Sequence, residues 1–177
     1  MATSSDVLAL ETRKQIYETV RKSPGSHLRE IQRSTGLSFG SVSYHLAYLC
    51  RHEMIKEEKD GKNNRYFPIE MDSSDKKMLG LLRQKSIRGI LLFSLLHNEF
   101  NHQALVSQLK LSPSTISWHL KTLESVQVIK SSSANKRKKY QLNIDKSTII
   151  KLLIAYKESF LDSMVNSVVE LVDVRYR

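Results

Sequence analysis

Residues 11–68 of this 177-residue chain align on residues 85–142 without a gap, at a constant offset of 74. Leu37-Ser38 falls on Leu111-Ser112, SVSYHL at 41–46 on TISWHL at 115–120, and Leu49 on Leu123. Beyond these, Ile55-Lys56 falls on Ile129-Lys130, and Arg65-Tyr66 on Lys139-Tyr140. One register that keeps apolar positions, turn region and closing tyrosine together implies that one fold is present twice. A chain of this length has room for two small domains, each with its own core.

Each copy reads as helix, helix, helix, strand, turn, strand. In the first, Ile16, Tyr17 and Val20 share a helix face that ends near Ser23-Pro24-Gly25, where proline and glycine both interrupt helix. A short helix follows with Leu28 and Ile31 inward, and then the turn Thr35-Gly36-Leu37. Ser38 is a good N-cap for a third helix, in which Val42, Leu46 and Leu49 recur at helical spacing. Met54 to Lys59 then reads as a strand, Asp60-Gly61 opens a tight turn, and Arg65 to Ile69 returns, forming a β-hairpin wing. In the second copy Ser112 is the cap and Pro113 takes the first helical position, where its missing amide proton costs nothing. Ile116, Leu120 and Leu123 form its inward stripe.

Between the copies, Glu70 to Lys77 is polar and short, leading into a predicted long apolar helix from about Asp75 to His97. After the second wing, residues 147–174 place Ile149, Leu152, Leu153, Tyr156, Phe160, Met164, Val168 and Leu171 near one stripe. That stripe either packs back on the body or meets its copy in a homodimer, the latter being preferred. The expected fold class is therefore mainly α with small β-hairpin wings, an α+β arrangement. Its domains are residues 6–70 and 75–144, two tandem winged-helix units, with a C-terminal amphipathic helix at 145–174.

Lys and Arg number 28 against 18 Asp and Glu, a formal charge of +10, which favours polyanionic partners through counterion release and steering. A basic surface kept only for solubility has the same composition. With Cys50 as the one cysteine, neither an internal disulfide nor a multi-cysteine zinc site can form, as suits a reducing cytoplasm. The start, MATSSDVLALETRKQ, lacks the basic and apolar regions of a signal peptide, and no apolar run is long enough to span a bilayer. The expectation is a cytoplasmic protein without membrane contact.

A helix-turn-helix lays the N-terminal part of its third helix in the major groove of DNA, while the other face holds the domain together. At about 100° per residue, Val42, Leu46, Leu49 and Glu53 fall inward, and Gly40, Tyr44, Ala47, Tyr48 and Arg51 fall outward. Ser41 and Ser43 flank the outward set. The second copy's outward set is Ser114, Trp118, Lys121, Thr122 and Ser125, flanked by Thr115 and Ser117. Glycine and small hydroxyls allow close approach to base edges and phosphates, whereas Arg51 and Lys121 can contact phosphate or reach guanine. The alternative is an ordinary solvated face. Tyr44 and Trp118 can touch a thymine methyl or sugar, or pack beneath the wing. Lys59, Lys62 and Arg65 flank the first hairpin turn, and Lys136-Arg137-Lys138-Lys139 crowds the second, a run that could be an exposed solvated loop but whose place beside a recognition helix favours phosphate or minor-groove contact.

His45 and His119 occupy equivalent positions between the two faces. Structural or phosphate-bonding roles suit them better than ligation, since no Cys, Asp or Glu cluster has a coordination spacing. There is no glycine-rich phosphate loop, and Cys50 lies near the core side of its helix. No metal, cofactor or enzymatic activity is expected.

The segments SVSYHLAYL and TISWHLKTL, each followed by a basic hairpin closing on tyrosine, resemble the recognition helix and wing of ArsR-type and MarR-type winged-helix regulators. Two such units in one chain resemble archaeal predicted regulators with two helix-turn-helix domains. That resemblance implies sequence-specific binding of double-stranded DNA, control of transcription and association with the nucleoid. The chain departs from metal-sensing ArsR members, which carry paired cysteines before the turn or acid and histidine ligands on the terminal helix. MarR-type regulators dimerise through terminal helices around one winged-helix domain, whereas two are expected here, so a monomer spanning neighbouring grooves is also open. The rival readings are a winged-helix scaffold for protein partners and a non-specific chromatin-type binder.

Overall fold

The computed structural model describes residues 7–134 and 137–160, without the side chains of Ala134, Arg137 and Glu158. The chain divides into two compact units, Met1–Gly80 and Leu81–Arg177. Each contains a winged-helix type α+β arrangement of three helices and a three-stranded antiparallel sheet, with further helical segments outside that arrangement.

In the first unit, α1 (Glu11–Lys22) buries Ile16 and Val20, one turn apart, and carries acid in its first turn and Arg21 and Lys22 in its last. This charge order complements the helix dipole. Gly25, at φ 75°, bends the chain into β1 (Ser26–His27). The Glu30 side chain accepts the His27 backbone N–H at 2.8 Å, covering an otherwise unpaired donor at the start of α2 (Leu28–Thr35). Gly36 ends α2 at φ 71°. α3 (Phe39–Arg51) follows, then β2 (Ile55–Asp60) and β3 (Asn63–Pro68). The strand order is β1-β3-β2, with Ser26 opposite Tyr66 and Ile55 opposite Pro68. Ile16, Val20, Ile31, Val42, Leu46, Leu49, Ile55 and Tyr66 form one buried cluster.

Helix α4 (Ser73–Arg83) contains the division between the units, and α5 (Lys85–Leu96) opens the second. The single helix expected over 75–97 is thus two. Gln84 stands between them with extended backbone at φ −81° and ψ 110°. Breaking a helix orphans carbonyls, and the buried Arg88 guanidinium donates to Leu82 O at 2.6 Å.

The second unit continues with β4 (Phe100–Asn101), α6 (His102–Leu109), α7 (Pro113–Ser125), β5 (Ile129–Ala134) and β6 (Arg137–Leu142). Every element from α5 to β6 starts and ends 74 residues after its counterpart from α1 to β3. The sheet order β4-β6-β5 and the strand register shift by the same amount, with Phe100 opposite Tyr140 and Ile129 opposite Leu142. Phe100 and Tyr140 stack at 5.9 Å, where the first unit pairs the small Ser26 with Tyr66.

Asp145 caps α8 (Lys146–Ala155), and a 3₁₀ turn at Lys157–Ser159 follows. The helix expected over 145–174 therefore stops at Ala155, and Ile149, Leu152, Leu153 and Phe160 are already buried within this chain. Met164, Val168 and Leu171 lie outside the described residues.

Candidate nucleic-acid interface

The turn and third helix of each unit are built alike. Ser38 Oγ accepts the Ser41 N–H, and Ser112 Oγ accepts the Thr115 N–H, each at 3.2 Å. These bonds fix where α3 and α7 begin, and so which side chains lie in their first two turns.

In α3, Val42, His45, Leu46 and Leu49 are buried. Gly40, Tyr44, Ala47 and Arg51 are exposed, with Ser41 and Ser43 half-buried beside them. Tyr44 has 62% of its surface exposed, so it does not pack beneath the wing. Tyr48 leaves the outward set: the Arg13 guanidinium lies 3.7 Å from its ring centroid and His52 leans on it at 4.3 Å. Glu53, expected inward, is exposed at φ 54°, because α3 ends at Arg51 before the inward face comes round again. Phe39, the first helical residue, is 55% exposed beside Gly40 and was not anticipated. A Cβ added to Gly40 would meet nothing within 4 Å, so no neighbour in the fold requires glycine there.

Of the outward set in α7, Ser114, Trp118, Lys121 and Ser125 are exposed, with Thr115, Ser117 and Thr122 half-buried. Trp118, the counterpart of Tyr44, is 60% exposed. Some hydroxyls already have partners. Ser117 Oγ and Pro113 O each lie 3.0 Å from His102 Nε2, which ties the start of α6 to the start of α7. Thr122 Oγ1 donates to Trp118 O at 3.0 Å. Ser112 Oγ lies 3.0 Å from Ser114 Oγ and 2.7 Å from Thr115 Oγ1.

His45 and His119 are buried, and Nδ1 of each lies buried without a hydrogen-bond partner. Each ring meets an exposed aromatic edge-on, Tyr44 at 5.2 Å and Trp118 at 4.9 Å. His45 Nε2 is 3.3 Å from Thr12 Oγ1. Desolvation lowers the pKa of both histidines below the usual 6.5, with Arg13 adding to the effect at His45. They stand in these helices as neutral, partly packed side chains. Burial, reinforced by Glu57, pushes the Cys50 thiol up to about 11, which leaves it a poor nucleophile.

The wings differ in how their cations are held. Arg65, only 18% exposed at its side chain, donates from Nε to Asp60 at 2.6 Å and from Nη1 to Gly25 O at 2.8 Å, so it ties the hairpin to the start of β1. Lys62 is exposed at the turn. In the second wing, Lys138 Nζ reaches Glu124 at 3.1 Å and Lys139 Nζ reaches Glu99 at 2.8 Å. The bond to Glu124 raises the pKa of Lys138 above its ordinary value. Lys136 and the Arg137 side chain lie outside the described residues. Among the described residues no group of three or more His, Cys, Asp or Glu is placed to hold a metal ion, and no helix is long and apolar enough to cross a membrane.

Residues 10–79 match a family described as an N-terminal HTH domain, the span that runs from just before α1 into α4. An uncharacterized HTH-type transcriptional regulator of Methanocaldococcus jannaschii is 33% identical over 139 residues, 77% of this chain and 34% of that protein. The chain thus spans about a third of the length of the curated relative it matches.

Proposed function

We propose that the chain is a sequence-specific regulator of transcription that binds double-stranded DNA, with α3 and α7 as recognition helices in the major groove. The family match over 10–79 and the relative's name support the helix-turn-helix regulator class. The observation that carries the reading is the exposed face shared by α3 and α7. At positions 74 residues apart, each serine-capped helix turns a large aromatic outward, Tyr44 or Trp118. Gly40, Ser41 and Ala47 flank Tyr44, Ser114, Thr115 and Thr122 flank Trp118, and the apolar stripe on the other side of each helix is used by the core.

In this reading Gly40, Ser41, Ser43, Tyr44 and Ala47 approach base edges in one unit, and Ser114, Thr115, Ser117, Trp118 and Thr122 in the other. Arg51 and Lys121 reach phosphate or guanine. Arg65 acts one step back, shaping the first wing through Asp60 and Gly25. The two units act as tandem winged helices. A homodimer seam, if the chain forms one, falls to residues other than Ile149, Leu152, Leu153 and Phe160, which are buried within one chain.

The test is selection of duplexes from a random library by the purified protein at physiological salt. A defined enriched motif is expected. Binding of all duplexes alike would replace this reading with a chromatin-type role, and absence of duplex binding would replace it with a protein-binding scaffold.

A further inference from the structure

The two wings superpose in register yet carry opposite chemistry. On β2 and β5, Glu57 corresponds to Ser131, Glu58 to Ser132 and Asp60 to Ala134. All three carboxylates of the first wing are engaged within its own unit. Asp60 holds Arg65, and Glu58 holds the buried Lys76 at 3.0 Å. Glu57 accepts from the Tyr66 hydroxyl at 3.1 Å and from Asn64. Over residues 55–68 four cations face these three acids, whereas residues 129–142 contain five cations and no acid. The imbalance extends to the whole units: Met1–Gly80 holds 13 Lys and Arg against 11 Asp and Glu, net +2, and Leu81–Arg177 holds 15 against 7, net +8.

We infer that the wings divide the work: the second wing grips the duplex backbone, and the first wing makes no comparable phosphate contact. This rests on the DNA-binding reading above. Lys130, Lys138 and Lys139 are exposed, as are the hydroxyl-bearing Ser132 and Ser133, while the exposed Ser131 bonds Glu124 through its side chain. That combination of ammonium and hydroxyl donors on one ribbon suits phosphate oxygens. The partners of Lys138 and Lys139 are Glu124 and Glu99, outside the wing, with 25% and 53% of their side chains exposed. The Lys139–Glu99 pair, half exposed on both sides, is of the weak solvent-exposed kind that exchanges for a phosphate, whereas Lys138 shares the more sheltered Glu124. In the first wing the acids lie on the strand itself, so a phosphate approaching Lys56 or Lys59 also approaches Glu57, Glu58 and Asp60.

The experiment compares two matched triple variants of the full chain, K130Q/K138Q/K139Q and K56Q/K59Q/K62Q. Binding to a random-sequence duplex of about 30 base pairs is followed by fluorescence anisotropy across a salt series. Each lost phosphate contact flattens the slope of log K against log salt by about 0.9. The second-wing triple should lose about 2 to 3 of slope and the first-wing triple less than about 1. Equal losses, or a larger loss from the first-wing triple, would overturn the inference. If the parent binds but neither triple alters its slope, the wing assignment alone falls. If the parent binds no duplex, the DNA-binding reading falls with it. Should the triple unfold on warming before the parent does, the singles K130Q and K139Q carry the same test at about 1 of slope each.

Discussion

At the residue scale, His45 and His119 show how a side chain on a boundary face becomes part of the packing. Their spacing revealed that they correspond to one another; the buried Nδ1 atoms without partners, and the Thr12 hydroxyl that α1 brings to His45, belong to tertiary packing, which periodicity does not report. The histidine pKa values are lowered in the folded chain, so near and below 6.5 the unfolded chain binds more protons. Stability from the neutral rings is complete above 6.5 and is lost as pH falls through that value toward the folded pKa values. The urea midpoint should therefore drop between about pH 8 and about pH 5.5. His45→Gln and His119→Gln should each make that drop smaller; an unchanged pH dependence in both variants would remove this account.

If the proposed interface is right, Gly40 separates stability from binding at a single atom. It lies one residue inside α3, where glycine costs about 0.5–1 kcal/mol relative to alanine, and an added Cβ meets nothing within 4 Å. Gly40→Ala should raise the thermal midpoint while weakening binding to the selected duplex several-fold, because the methyl group sits on the exposed face beside Phe39 and Tyr44. Melting curves and a duplex titration on the same preparation measure both. A variant that is stabilised and binds as tightly as the parent would take Gly40 out of the interface.

At the element scale, the helices with a cap and an apolar stripe are legible in the sequence. Ser38, Gly36, Ser112 and Pro113 mark their ends through chemistry local to each turn. What was not legible depended on distant partners. The break at Gln84 has no proline or glycine to announce it, and Arg88 reaching back to Leu82 O belongs to the folded unit alone. Likewise, nothing near Arg65 indicates that Gly25 O, forty positions earlier, occupies its guanidinium. The repeat also exposes a site of strain. Gly36 closes α2 at φ 71°, whereas its counterpart closing α6 is Lys110 at φ 53°, a left-handed conformation that costs a side-chain-bearing residue about 1–2 kcal/mol. Lys110→Gly should stabilise the second unit by about 0.5–1 kcal/mol after the entropy lost by glycine is counted, read as a rise in the urea midpoint. Gly36→Lys should do the reverse, and a destabilised Lys110→Gly would show that Lys110 makes contacts worth more than its strain.

At the scale of the whole molecule, the third helices of the two units, the proposed reading heads, expose different chemistry at positions 74 residues apart. α3 presents Phe39, Gly40, Tyr44 and Arg51, while α7 presents Ser114, Trp118, Lys121 and Ser125. Two identical heads would select a repeated half-site, but heads with different side chains at equivalent positions select two different ones. If both units enter the groove together, the motif enriched by the parent has two separable parts. Tyr44→Ala should then erase preference in one part and Trp118→Ala in the other, each lowering affinity for the parent motif by about tenfold, the scale of losing one good base contact. Both residues are exposed enough that alanine should leave the melting midpoint near that of the parent. Repeating the duplex selection with each variant reads out the two parts directly. Loss of the same positions from both variants would mean that the two helices read one shared site. A motif left intact by either variant would assign that unit to holding the duplex without reading it, the role its wing chemistry favours in the second unit and disfavours in the first.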